Sequence, residues 1–246
     1  MTSLSDQART AWTLPVLATA LALCEPAAAQ MNMPMYNEYP QSFYVPSVDE
    51  TSEGVEGDDE IGDSPYYDSG SFDGTSGYRP SLERRRANLA RFVERARAED
   101  PARAERLAAF FASTDVIEAY DREMREVGLS AGDVADAFAV WWVTAWAGAQ
   151  GRVADLTDES MLAVRRQTAE GIFASDFITG ASEAFKQEMA ETLIVQSMLI
   201  VSNVREARER RSGMIQVQAA VRDAAADFGF DLDSMDLTPD GFRFRE

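Results

Sequence analysis

The sequence predicts an all-α protein: a compact bundle of about seven helices, preceded by a signal peptide and a disordered acidic segment. Three observations carry this expectation. Apolar residues recur at helical spacing from Ser81 onward. Helix-start and helix-stop residues return throughout the same stretch. Before it, residues 10–78 contain no Lys or Arg but twelve Asp/Glu, so they hold −12 of the formal charge of −19. The expected division is therefore 1–29 signal peptide, 30–79 disordered acidic linker and 80–246 helical domain.

In the leader, Arg9 supplies a weak positive start and Trp12 to Cys24 an apolar stretch. Pro26-Ala27-Ala28-Ala29 then offers the small-x-small pattern of a signal-peptidase site, with Gln30 as the new N-terminus. The apolar stretch is shorter than the roughly 20 residues a spanning helix needs. No integral membrane segment is expected after cleavage, and the expected location is periplasmic or secreted. Leu23 is bulky for the position before a lipidated Cys24, which disfavours an acyl anchor. Residues 30–79 have no helical period, and Asp58, Asp59, Glu60 and Asp63 repel one another. Tyr36, Tyr39, Phe43, Tyr44, Tyr66 and Tyr67 are scattered there, and the reading is a solvated spacer.

Residues 79–246 carry 22 basic and 29 acidic side chains. A net-acidic chain without a basic patch is repelled by phosphate backbones, which excludes nucleic acid as an expected partner and disfavours anionic lipid. His is absent, removing the usual neutral-pH base and the commonest metal ligand. Cys24 is the only cysteine, so no disulfide forms within the chain.

The helices follow in order. Leu82, Leu89, Phe92, Val93 and Ala96 form the first stripe. Asp100-Pro101 sets a capping carboxylate before a proline at the first helical position, and Leu107, Phe110 and Phe111 face inward from the second helix. Asp115 with Glu118 resembles a capping box for a third helix bearing Ile117, Tyr120, Met124 and Val127, which Gly128 stops. Ser130 is the expected cap of the fourth helix. There Val134, Phe138, Trp141, Trp142, Ala145 and Trp146 share a sector about twice the usual width, opposite Asp133, Asp136 and Thr144. This helix is therefore expected at the centre, with Gly148 allowing close approach and Gly151 ending it. Thr157 opens a helix carrying Met161, Val164, Ile172 and Phe173. Ser182 opens the longest, with Phe185, Met189, Leu193, Ile200 and Val204 inside and Arg205 to Arg211 projecting. A last helix from Met214 to Asp227 is expected to bury Ile215, Ala219 and Val221. Leu237-Thr238-Pro239-Asp240-Gly241-Phe242 is a turn that folds the tail back as a short extended segment.

The run Val127-Gly128-Leu129-Ser130 leading into Asp133-Val134-Ala135-Asp136-Ala137 and Trp141, with Trp146 beyond, resembles a family of uncharacterised exported helical domains from bacteria. Lys186-Gln187 with Glu191, and Leu237-Thr238 with Gly241-Phe242, carry the same likeness across roughly residues 82–244. The family is classed as a domain of unknown function. The resemblance implies a similar fold and export, and it brings no activity, substrate or catalytic residue.

Four features are weighed as sites. Glu188 and Glu191 have the helical spacing of a carboxylate pair, but they lie off the apolar stripe without a His and read as a solvated face. Asp231, Asp233, Asp236 and Asp240 break the register of a calcium loop, because Met235 and Asp236 occupy ligand and glycine positions. Gln196 and Asn203 fall near the buried stripe of the long helix and read as structural hydrogen-bonding groups. Phe138, Trp141, Trp142 and Trp146 form either core or the wall of an apolar-ligand pocket, with core the default. A serine nucleophile lacks its base, and no glycine-rich phosphate loop occurs. The chain is thus read as non-enzymatic and without cofactor: an exported module that interacts with an envelope or secreted protein. The alternatives are a carrier of a small apolar ligand beside the tryptophans, and an enzyme using Glu188 or Glu191.

Overall fold

The computed structural model describes residues 76–154, 158–174, 178 and 180–245. The expected signal peptide, residues 30–75 of the expected linker, Thr157 and the side chains of Ile172 and Phe173 lie outside the described residues. Among the described residues seven helices follow one another: α1 (Leu82–Glu99), α2 (Pro101–Ser113), α3 (Val116–Glu126), α4 (Val134–Ala149), α5 (Asp158–Ala174), α6 (Glu183–Arg210) and α7 (Met214–Asp227). A 3-10 turn (Leu232–Ser234) leads into β1 (Met235–Thr238) and β2 (Gly241–Phe244). The chain is all-α with one small hairpin, in agreement with the expected fold class. No helix among the described residues is long and apolar enough to cross a membrane.

α4 is the hub, packed against α5, α6 and α7. Every residue of it except Trp146 is buried. The flank opposite the apolar sector is covered as well. Asp136 accepts a hydrogen bond from Arg165 of α5 at 2.8 Å, and buried Thr144 pairs with buried Tyr120 of α3. The cap is Asp133 rather than Ser130. Its carboxylate accepts the N–H groups of Ala135 and Asp136, while the Ser130 hydroxyl accepts that of Gly132. Asp133 stands directly before Val134, the first helical residue, and its charge also meets the positive end of the helix dipole. At Gly148, a Cβ would stand 2.6 Å from Ile200 Cγ2, so only glycine lets α4 and α6 meet this closely.

The remaining helices follow their local signals with three exceptions, the first being Leu82, counted in the first stripe of α1 but 61 % exposed. Asp100, Asp115 and Ser182 each cap the helix they precede, and Gly128 adopts the left-handed conformation (φ 77°) that ends α3. In α7, however, Ile215 is 78 % exposed and Ala219 is exposed too; the buried face is Val217, Ala220, Val221 and Ala225. Positions 215 and 219 lie roughly half a helical turn around from 217 and 221, so one expected stripe mixed two faces. The end of α6 is also less free than expected. Ala207 is buried, and Arg208 donates to the Gly151 carbonyl at 3.1 Å.

The tail forms an antiparallel hairpin in which Thr238 pairs with Gly241 and Met235 with Phe244. Two side chains hold it to the bundle. The Gln167 amide of α5 donates to Phe242 O and its oxygen accepts from Phe242 N, both at 2.8 Å. On the other strand, the Trp146 indole donates to Met235 O at 3.0 Å.

Residues 76–79, assigned by the sequence to the linker, belong to the domain. Ser76 and Tyr78 are buried. Ser76 Oγ lies 2.9 Å from both Asp133 carboxylate oxygens, and Ser76 O accepts from Val134 N at 3.0 Å. Gly77 forms an antiparallel bridge with Asp133. The short run lacks helical period because it is an irregular segment bridged to Asp133 before α4, which is why its composition reads as spacer.

Candidate functional site

The polar residues of the sequence converge on the seam between α1 and α6. Glu191, expected in solvent, is 1 % exposed, and Glu188 is buried beside it. The expectation failed because α6 is buried on nearly its whole circumference over Phe185–Val195. The stripe Phe185, Met189 and Leu193 marks only one side. The other side carries the carboxylates into the arginines of α1.

Each carboxylate oxygen has a partner. Glu191 Oε1 accepts from Arg85 Nε at 3.0 Å and from Gln187 Nε2 at 2.9 Å. Its Oε2 accepts from Asn88 Nδ2 at 2.6 Å. Arg85 Nη1 reaches Asp115, the cap of α3, at 2.9 Å, so one guanidinium ties α1, α3 and α6 together. Arg91 grips Glu188 through Nε and Nη2, at 3.2 and 2.6 Å, and donates to Asn88 Oδ1 at 2.8 Å. Gln187 in turn accepts from Ser81 N at 3.0 Å and donates to Ser81 O at 2.8 Å.

Electrostatics agree with a closed network. Burial pulls the Arg85 guanidinium down, but the Glu191 hydrogen bond and the Asp115 charge outweigh it and hold the group above its ordinary value. Tyr78 is pushed up, first by burial and then by the nearby Glu191 charge. Its hydroxyl donates to Ala131 O at 2.7 Å. Both Glu191 oxygens are engaged, by Arg85, Gln187 and Asn88, and the side chain is buried away from solvent. The arrangement is that of a clamp between helices.

A second polar focus lies at the α3–α4 corner, where Asp121 accepts from Ala131 N at 2.7 Å and from Arg125 at 2.6 Å. Asp136 there accepts from Ser130 N at 2.9 Å as well as from Arg165. Burial, against the Arg165 hydrogen bond, keeps the Asp136 carboxyl above its ordinary value. On α3, burial followed by the charge of Glu126 pushes Glu123 up to about 7. Neither Asp121 nor Glu123 stood out in the sequence; the alternation of charge along α3 was the available signal.

The aromatic residues are core. Phe138, Trp141 and Trp142 are buried and Trp146 is half-buried. Trp141 meets Phe228 at 4.6 Å between ring centroids, and Trp142 meets Phe230 at 4.7 Å and stacks on Phe242 at 4.5 Å. Arg152 lies over the Trp146 ring at 5.1 Å. The Trp142 indole N–H is buried and has no acceptor among the described residues. Gln196 and Asn203 are half-buried on α6. In the acidic tail, Asp233 pairs with Arg222 at 2.8 Å, Asp236 with Arg245 at 2.7 Å and Asp240 with Arg243 at 2.6 Å, while Asp231 caps the 3-10 turn. Among the described residues, no group of three or more His, Cys, Asp or Glu side chains is placed to hold a metal ion.

Comparison with known sequences adds one finding. The model of a family described as "Family of unknown function (DUF6683)" matches residues 71–245, which include the docked segment at 76–79. No curated protein and no solved structure matches the chain.

Proposed function

We propose, for a chain that belongs to this family of unknown function, that it works as a non-enzymatic interaction module in the cell envelope or outside the cell. One observation carries the reading: Glu191 is 1 % exposed and both of its oxygens are engaged by Arg85, Gln187 and Asn88, which leaves it out of a substrate's reach. A catalytic acid or base needs hydrogen-bond reach to a reacting group, and here that reach is spent on holding helices. Export rests on the Ala27-Ala28-Ala29 site behind an apolar stretch. Crosslinking and pull-down of the protein from its own envelope fraction tests the module, with a recurring protein partner expected. An activity that survives purification and is lost in Glu191→Gln would refute it.

A second reading, a carrier of a small apolar ligand, draws on the Trp142 indole N–H, a buried donor without an acceptor among the described residues. Native mass spectrometry of protein purified from its host separates the two readings. A carrier retains a ligand mass, and a module does not.

A further inference from the structure

We draw no further inference here: the strongest candidate, the buried Trp142 indole N–H in the aromatic layer between α4 and the tail hairpin, belongs to the carrier reading already given, and nothing among the described residues shows a space beside it that a ligand could enter.

Discussion

Removing the Glu191 carboxylate is the sharpest test of the α1–α6 clamp. In Glu191→Ala, Arg85 Nε and Asn88 Nδ2 lose their acceptor at once, and Gln187 Nε2 keeps only Ser81 O. Breaking a buried pair by deleting one partner costs about 3–5 kcal/mol, because the other charge stays buried. Here Arg85 keeps Asp115, and its side chain is 11 % exposed, which lets some water reach it. The expected loss is therefore about 3 kcal/mol, at the lower end of that range. Against a whole stability of about 5–15 kcal/mol, urea melts followed by circular dichroism resolve such a loss easily. The double variant Arg85→Met with Glu191→Met carries no stranded charge. It should be more stable than either single change, since an apolar pair of similar volume often replaces a buried ion pair without loss. A loss below about 1 kcal/mol for Glu191→Ala, in the range of ordinary surface changes, would refute the reasoning. So would a double variant as unstable as the sum of the singles.

Further expectations follow from other contacts. A chain shortened to begin at Ser81 loses the Ser76 and Tyr78 bonds and a buried aromatic ring. Calorimetry should show a fall of about 2–4 °C in Tm for each kcal/mol lost, and about 3 kcal/mol is expected from ring and bonds together. An unchanged Tm would return residues 76–79 to the linker. Gly241→Ala drives a Cβ into the Gln167 amide at a φ of 107°; a loss of about 1–3 kcal/mol is expected in denaturant melts. Phe138→Ala and Trp141→Ala should each cost about 3–5 kcal/mol, and near-wild-type melts would argue for a cavity. Glu123 is pushed up to about 7 from an ordinary 4.5, so the folded state holds its proton more tightly than the unfolded state. Stability should therefore fall as pH rises from 4.5 to about 7. Glu123→Gln should gain about 1 kcal/mol at pH 8, after allowance for solvent screening of a half-exposed group, and nothing near pH 4. Equal effects at both pH values would show that the proton plays no part.

What the sequence made legible was chemistry confined to a few neighbouring residues. Asp100-Pro101, Gly128, Ser182 and the Pro239-Asp240-Gly241 turn act through their own backbone or the next turn, and each sits where its local logic places it. The central position of α4 was legible for a similar reason, because an apolar sector too wide for one neighbour requires several. The clamp was not. Glu191 meets Asn88 across 103 residues and Arg85 across 106, and no local period records such a partner. The arginines of α1 were the visible half of the pairing, and their acidic counterparts looked solvated because only one apolar stripe on α6 had been traced. Ser76 reaches Asp133 across 57 residues, so a docked segment and a spacer share the same composition. Ile215 failed differently: near a helix start, apolar residues on opposite faces can be joined into one false stripe.

The Gln167 amide has a consequence for how the chain behaves in company. A two-stranded hairpin is open along both rims, and unpaired main-chain groups there are templates on which another chain can build a sheet. Gln167 satisfies the outward N–H and C=O of Phe242 together, so one side chain does the work of a third strand. Trp146 closes the opposite rim at Met235 O. The bundle thereby carries a fragment of β-structure that is denied the chance to grow into aggregates, and the guard is a single neutral amide reaching over from a neighbouring helix.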